Sequence, residues 1–372
     1  MRKNSRNSSK MHKNKKVLHI FLVVLASLVL LVGVSSTARE TLSFFWQLLF
    51  QNEVAFEKEG RVNILLLGTA GGMHEGKDLT DTIILLSLDP KKKEALLVSV
   101  PRDLWIPELS SKINTAYLYG EEKQKGGGSV LTKTVIEKVT GIEPYNVVKV
   151  DFDGFTKAVD NVGGLEITVE NSFDDYGYPI PGKENDLCGL PKEELGKLSN
   201  PSVKPWEIFP CRFEHVHFEK GRQQMNGETA LKFVRSRNAQ GIEGTDFARS
   251  GRQQQILFAF SKKIFSLGVL LNPLKVQSLF TILRENVATD IQTGQLDDFI
   301  RLVKQMEGVS IRSVVIDYGD EENGRKGLLF NPPISSAYGS QWVLIPRIGI
   351  GQFSEIHQYV ACELTSKDCK IN

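Results

Sequence analysis

The stretch "VNILLLGTAGGMHEGKDLTDTIILLSLDPKKKEALLVSVPRD", residues 62–103, contains three apolar runs, separated by a glycine-rich loop and a short polar turn. The runs are "VNILLLG", "DTIILLSL" and "EALLVSV". Each run has the length of a β-strand, and a continuous apolar run is typical of a strand that is buried on both faces. The order therefore predicts an up-down-up meander of three strands.

Such a meander brings three features to the same end of the sheet. They are the loop after Gly68, Asp81 at the start of the second strand, and Arg102–Asp103 after the third strand. Open sheets commonly bind their ligand at an edge of this kind. The glycine loop fits neither G-x-G-x-x-G nor the Walker A pattern, so nucleotide binding is not supported and a turn is the simpler interpretation.

Helices and strands alternate after the meander, which predicts an α/β domain with helices covering the sheet. The segments are a helix near 129–139, the strand "YNVVKVDF", the helix "DGFTKAVDNV" and the strand "LEITV". Residues 171–217 are rich in proline, glycine and charge, and we expect a long surface insertion there. Further helices are expected at "DFARSGRQQQILFAFSKKIFSLG" (246–268), 272–286 and 296–306, and a strand at 311–316.

The net charge of +2 is unevenly distributed along the chain. Residues 1–16 carry seven Lys/Arg and no acidic residue, which leaves 39 basic and 44 acidic residues in the rest of the chain. An acidic body with a short basic tail argues against a nucleic-acid-binding domain, which would usually carry a general basic excess.

Residues 17–38, "VLHIFLVVLASLVLLVGVSSTA", contain no Asp, Glu, Lys or Arg. This length suffices to cross a bilayer core as a helix. A cleaved signal peptide is the alternative, but "SSTARE" is a poor cleavage site. The positive-inside rule then predicts a single-pass protein of the cell membrane, with its N-terminal tail in the cytoplasm, a juxtamembrane linker at 39–60 and the remainder outside.

The four cysteines all fall on the predicted extracellular side, where disulfides persist. None of them forms a CxxC pair. The simplest of three possible pairings joins Cys188 to Cys211 and Cys362 to Cys369. Four free thiols remain the alternative.

Arginines and amides are concentrated in "KFVRSRNAQGIEGTDFARSGRQQQ", residues 232–255. In an extended segment Arg235 and Arg237 would point to the same face. Asp246 is a plausible N-cap of the next helix. On that helix Asp246, Arg249, Arg252 and Gln253 would share an arc of roughly 120°.

Arginine side chains suit the oxygens of phosphate, and a pyrophosphate needs several of them. For a single arginine, a structural salt bridge is the simpler interpretation. Five arginines, Arg102 included, together with Asp81, Asp103 and Asp246 favour an anion site. Asp81 and Asp246 could together hold Mg²⁺ beside phosphate oxygens. No Ser-His-Asp or Cys-His arrangement is evident, and phosphoryl transfer needs no protein nucleophile.

Several of these segments together resemble the LytR-CpsA-Psr family. The matching blocks run in order from about residue 61 to 265, and more loosely to about 317: "VNILLLG", "LTDTIILLSLDP", "VSVPRDLWIP", "KINTAY", "VDFDGFTKAVDNVGGLEITV", "MNGETALKFVRSR" and "DFARSGRQQQ". The resemblance implies a catalytic domain at 61–317, built as a central mixed β-sheet flanked by helices in an α-β-α sandwich. Residues 318–372 match no block and form a C-terminal extension of open role.

The family resemblance implies a membrane-anchored phosphotransferase that acts outside the cell. Such an enzyme moves a glycopolymer from a polyprenyl-pyrophosphate carrier to peptidoglycan and uses Mg²⁺ (or Mn²⁺). Arg102 would contact the pyrophosphate, and Asp81 would be a metal-associated carboxylate. Asp246 would organise the arginines or the metal. The other residues implied in pyrophosphate binding are Arg235, Arg237, Arg249, Arg252, Gln253, Lys112 and Asp103.

The sequence departs from the family at one position of the expected metal site. The family usually has an aspartate two residues after the glycine that ends the first strand, where this chain has Ala70. Asp78 could stand in for it. The family also implies an apolar groove for the polyprenyl chain, and "ILFAFSKKIF" and "FDGFTKAV" could line it, although their spacing equally fits core helices.

Two other functions are compatible with the same residues. One is a hydrolase that only cleaves polyprenyl pyrophosphates. The other is a membrane-bound sensor or regulator that binds a phosphorylated lipid without turnover. A transfer assay with lipid-linked oligosaccharide and wall fragments separates the three functions.

Overall fold

The structure is a computed structural model that describes residues 60–72, 76–191, 203–264, 278, 282, 285–292, 295–306, 308–320, 325–366 and 369. The predicted cytoplasmic tail, the apolar segment at 17–38, nearly all of the linker and most of the helix expected at 272–286 lie outside these residues. No helix in the described part of the chain combines the length and hydropathy that a bilayer crossing requires.

The strands and helices are numbered here in chain order. The strands are β1 (Val62–Thr69), β2 (Thr80–Asp89), β3 (Glu94–Ser99), β4 (Trp105–Ile106), β5 (Ser111–Lys112), β6 (Asn146–Asp151), β7 (Leu165–Val169), β8 (Phe173–Pro179), β9 (Phe213–Phe218), β10 (Gly221–Met225), β11 (Val287–Thr289), β12 (Ser310–Val315), β13 (Gly319–Asp320), β14 (Arg325–Lys326), β15 (Leu329–Phe330) and β16 (Ile345–Pro346). The helices are α1 (Ala116–Lys123), α2 (Gly127–Thr140), α3 (Phe152–Asn161), α4 (Pro205–Ile208), α5 (Gly227–Arg235), α6 (Asp246–Ile264), α7 (Leu296–Gln305) and α8 (Ser354–Thr365).

A six-stranded mixed sheet forms the centre of the fold, in the order β11-β6-β1-β2-β3-β12. Strands β1, β2 and β3 are antiparallel neighbours, which confirms the predicted meander. β6 is parallel to β1 and β12 is parallel to β3, whereas β11 is antiparallel to β6. The mixed sheet with flanking helices confirms the α/β fold class.

One face of the sheet packs into the main hydrophobic core. Leu65 and Leu67 of β1 contribute to it, as do helices α1, α2 and α8. Side chains on a strand alternate between its faces, so Leu66 points to the opposite side. On that side α6 lies over β3, because the Gln254 amide donates to the Ser99 hydroxyl over 3.0 Å. The helices therefore occupy both faces of the sheet.

A second hydrophobic core forms between α3, α5, α6 and the two small sheets β7–β10 and β8–β9. Its buried members include Leu165, Phe173, Phe218, Phe233 and Ile256. Asn226 caps α5, because its side-chain oxygen accepts from the Thr229 backbone N–H over 2.8 Å. The amphipathic α5 then turns its apolar side toward this core.

The insertion predicted at 171–217 is more ordered than its composition indicated. Its ends pair as β8 and β9, and Phe173 and Val216 of these strands are buried. Between them a disulfide joins Cys188 to Cys211. A second disulfide joins Cys362 to Cys369. Both predicted pairings are thus confirmed, and the alternative of free thiols is wrong.

The C-terminal extension completes the main core. Ile356 and Val360 of α8 are buried there together with Val135 and Ile136 of α2. The body described so far comprises residues 58–291 and 306–372, and α7 belongs to a second compact unit. Within α7, Arg301 donates to Asp298 one turn earlier.

Candidate functional site

The end of the meander gathers opposite charges, as predicted. A β-bulge interrupts the pairing of β1 with β2: Gly68 pairs with Thr82 and Thr69 with Thr80, so Asp81 is the extra residue. Bulges re-aim side chains and are common beside active sites. Asp81 forms an ion pair with Arg102, which follows β3. The sheet register therefore places this carboxylate against this guanidinium.

Asp103 and Lys112 form an ion-pair network with Arg102. Asp103 is buried and accepts from Arg102 Nε over 3.3 Å and from Lys112 Nζ over 2.6 Å. The β4–β5 pairing carries Lys112 to this position by placing it opposite Trp105. Asp103 thus fixes the orientation of the Arg102 guanidinium, and Lys112 neutralises Asp103.

Arg235 is the last residue of α5, so the expectation of an extended segment at Arg235 is wrong. The Asn226 cap and the burial of its apolar side stabilise α5, and the helix continues as far as Arg235. The guanidinium lies 4.2 Å from the Phe152 ring centroid and donates to the Tyr178 hydroxyl over 3.1 Å. Burial raises the pKa of Tyr178, which therefore stays protonated near neutral pH.

The backbone after α5 is fixed by Asp175, a residue that the sequence analysis did not single out. Asp175 is fully buried, and its Oδ2 accepts from the backbone N–H groups of Arg237 (3.0 Å) and Asn238 (3.2 Å). A buried carboxylate needs such donors. The sequence did not indicate a buried role for Asp175, because this residue lies in the segment predicted as a surface insertion.

Helix α6 begins at Asp246, but its cap is Thr245, whose hydroxyl accepts from the Ala248 N–H over 3.1 Å. The predicted N-cap at Asp246 is therefore wrong, and the Asp246 side chain lies outside the described residues. Arg249 and Gln253, one turn apart, face the same cavity as Arg235 and Arg237.

Arg252 lies apart from this group. Its side chain is 4% exposed, and all three of its nitrogens donate to the protein. The acceptors are the carbonyls of Phe233 (2.9 Å), Ser236 (2.6 Å) and Glu243 (3.0 Å), with the Glu243 carboxylate at 2.9 Å. Burial lowers the pKa of its guanidinium. Arg252 ties α6 to the segment between Arg235 and Arg237, which is a positioning role.

A cavity of about 950 Å³ lies between the sheet and helices α3, α5 and α6. We call it the apolar cavity, because most of its wall is hydrocarbon. Its apolar lining includes Leu66, Ile84, Val148, Val150, Phe155, Leu231, Val234, Leu257 and Phe260. The segment "ILFAFSKKIF" was expected to line either a groove or a core, and it contributes to both. Ile256 is buried in the second core, whereas Phe260 is only partly buried and lines the cavity.

A second cavity of about 890 Å³ adjoins the first. Asp81, Arg102, Arg249 and Gln253 line both cavities. The charged residues shared by the two cavities therefore lie where the cavities meet.

Of the predicted metal ligands, Asp81 lines both cavities and Asp78 lines neither, whereas the Asp246 side chain lies outside the described residues. Asp78 accepts from Lys149 Nζ over 2.7 Å and lines neither cavity. Lys149 lies 4.5 Å from the centroid of the buried Tyr117 ring. A metal-ligand role of Asp78 in place of Ala70 stays a prediction, and in the structure the Asp78 carboxylate is paired with Lys149.

Among the described residues, the one group of three possible metal ligands is Asp186, Cys188 and Cys211. Its cysteines form the disulfide, so it is no metal site. Asp81 lines both cavities. A Mg²⁺ ion at Asp81 that takes its remaining ligands from phosphate oxygens and water stays a prediction.

Sequence comparison relates the chain to curated transferases. The polyisoprenyl-teichoic acid–peptidoglycan teichoic acid transferase TagV of Bacillus subtilis (strain 168) is 30% identical over 249 residues, which cover 65% of this chain and 53% of that protein. The TagU transferase of Oceanobacillus iheyensis is 28% identical over 254 residues, which cover 67% of this chain and 64% of that protein. The chain thus spans between half and two thirds of the length of these relatives.

Structure comparison finds the same fold in solved proteins. The crystal structure of B. subtilis TagV matches with a TM-score of 0.53 at 24% identity, covering 84% of this chain and 100% of that chain. Protein gbs0355 from Streptococcus agalactiae matches with a TM-score of 0.55 at 19% identity, covering 86% and 93%. At these identities the likeness shows the fold alone. The model of the LytR_cpsA_psr family matches residues 35–332, which includes both cavities except for the residues beyond 332. The chain belongs to the LytR-CpsA-Psr family.

Proposed function

We propose that this protein transfers a glycopolymer from a polyprenyl-pyrophosphate carrier to a hydroxyl group of peptidoglycan. The observation that carries the proposal is the apolar cavity, whose wall combines hydrocarbon with Arg102, Arg235, Arg237 and Arg249. This combination suits an amphiphile with a long apolar chain and a pyrophosphate head. The teichoic acid transferase names of the relatives support the same reaction.

In this reaction the acceptor oxygen bonds to the phosphorus that carries the glycopolymer. The bridging P–O bond of the pyrophosphate breaks, and its electron pair remains on the polyprenyl monophosphate. The hydroxyl proton ends on that phosphate, whose second ionisation lies near neutral pH. Negative charge builds on the leaving phosphate, and the Arg102 guanidinium, fixed by Asp103, stabilises this charge.

Divalent cation binding is a further part of the proposal. Asp81 would hold Mg²⁺ (or Mn²⁺) together with pyrophosphate oxygens, and the ion would supply charge neutralisation at the phosphates. The apolar segment at 17–38 would anchor the chain in the cell membrane as a single-pass helix, with residues 39–372 outside the cell. This location would give the site access to both the lipid carrier and the wall.

The test compares single-turnover transfer and lipid affinity in Arg102→Ala, Arg102→Lys and a control. Loss of a preorganised donor typically costs ~10²–10³ in rate. Arg102→Ala should bind lipid through the remaining arginines yet transfer slowly, and Arg102→Lys should recover only part of the rate. Arg222→Ala, at an exposed arginine paired with Glu166, is the matched control and should behave as wild type.

The same assay addresses the cation and the competing functions. Chelation of Mg²⁺ should weaken lipid binding in wild type, and Asp81→Asn should reduce that dependence. Release of free phosphate without joined product would indicate a hydrolase, and binding without turnover would indicate a sensor. Near wild-type transfer by Arg102→Ala would refute the assignment of Arg102.

A further inference from the structure

The second cavity is built from three parts of the chain. Asp81, Thr82 and Arg102, together with the start of α6, provide walls shared with the apolar cavity. Another wall comes from residues 315–319, 329–331 and 344, of which Tyr318 also lines the apolar cavity. Pairing of β15 with β16 holds this wall, since Phe330 lies opposite Ile345. The Asn331 amide is fixed by donation to the Val343 carbonyl over 2.7 Å.

The surface chemistry of this cavity differs from that of the apolar cavity. Tyr318 and Phe330 expose 44% and 51% of their surface. Phe330, Ser250 and Asn331 line only this cavity, whereas Tyr318 and Thr245 line both cavities. Ser250 and Asn331 add neutral hydrogen-bonding groups. A sugar ring has apolar C–H faces and hydroxyl groups at its edge, so it needs both kinds of surface. A polyprenyl chain would gain nothing from the hydroxyl and amide groups.

The position of the second cavity relative to the reacting phosphate indicates which substrate should bind there. In phosphoryl transfer the attacking and leaving oxygens lie roughly in line on opposite sides of the phosphorus. Arg102 and Arg249 lie where the two cavities meet, which is where the reacting phosphate would bind. A leaving polyprenyl phosphate directed toward the apolar cavity requires the acceptor to approach from the other side.

We infer that the second cavity binds the glycan strand that accepts the polymer, with Tyr318 and Phe330 stacking on its sugar rings. The inference rests on the proposed function and names the acceptor subsite. Phe330 is a binding residue for the acceptor and takes no part in bond breaking. Part of this wall, Leu344, lies beyond the segment matched by the family.

The experiment measures the KM for a soluble peptidoglycan fragment with saturating lipid-linked donor, in Phe330→Ala and Phe258→Ala. Phe258 is 49% exposed and lines neither cavity, so it is the matched control. Loss of one aromatic contact should raise the acceptor KM by roughly 2- to 12-fold. Donor affinity and thermal stability should stay unchanged, and the control should match wild type.

Direct binding of the fragment, followed by NMR without donor, separates this inference from the proposed function. Weaker fragment binding in Phe330→Ala than in Phe258→Ala supports the acceptor subsite even if wild type shows no transfer. Equal fragment binding in all variants overturns it. A loss of donor affinity in Phe330→Ala would also overturn it, because the cavity would then hold the glycan of the donor.

Discussion

Replacement of Arg252 by alanine should lower the thermal stability of the protein, whereas the lipid affinity of the folded variant should change little. The change removes the partner of the Glu243 carboxylate, which is 16% exposed, and leaves the carbonyls of Phe233 and Ser236 without this donor. Removing one partner of a buried ion pair typically costs about 3–5 kcal/mol. At roughly 2–4 °C per kcal/mol for a domain of this size, Tm should fall by about 6–20 °C.

Thermal unfolding followed by circular dichroism measures this change, with lipid affinity measured at a temperature where the variant is folded. Arg252→Lys keeps the charge but cannot serve all the acceptors at once, so its Tm should fall by an intermediate amount. Arg222→Ala removes an exposed pair that solvent screens and should leave the Tm close to that of wild type. A normal Tm for Arg252→Ala together with lost lipid binding would refute the positioning role and restore Arg252 as a phosphate ligand.

Three further predictions concern topology, covalent structure and pH. Protease added to intact cells should digest the body of the protein, and full protection would contradict an external domain anchored by residues 17–38. The double variant Cys188→Ser/Cys211→Ser, which opens a bridge with a sequence separation of 23, should lose about 3 kcal/mol of stability in chemical unfolding, and an unchanged midpoint would contradict this. Hydrogen bonds to Asp174 and Glu219 raise the pKa of His217, so its stabilising contribution is present at low pH and lost as pH rises through the raised value. Between pH 6 and 8 the Tm of wild type should therefore fall more than that of His217→Gln, and parallel curves would show that this group does not contribute.

The sequence predicted best what is decided locally. The meander follows from three apolar runs joined by two connections, and the placement of Asp81 and Arg102 at the same end of the sheet follows from strand direction. Their ion pair and the β-bulge at Asp81 were not predicted. The pairings between cysteines that are close in sequence also proved correct, because short spacing favours local pairing over the other two connectivities.

The sequence could not predict which arginine faces the ligand. Arg249 and Arg252 lie close together on one helical arc, yet Arg252 turns toward carbonyls at the end of α5. The orientation of the Arg252 side chain depends on where α5 ends. This helix extends to Arg235 because its apolar side is buried. Asp175 was missed for the same reason, since its acceptor role depends on β8 pairing with β9.

The two edges of the central sheet are closed by strands from late in the chain. β12 pairs Ser310 with Glu94, and β11 pairs Val287 with Val150. A pairing between such distant residues forms slowly, because a long loop must close first. Until residues beyond 310 have emerged, β3 keeps an open edge that can pair with another chain. For a protein that would fold outside the cell after crossing a membrane, completion of the last quarter of the chain is the step that closes these edges against aggregation.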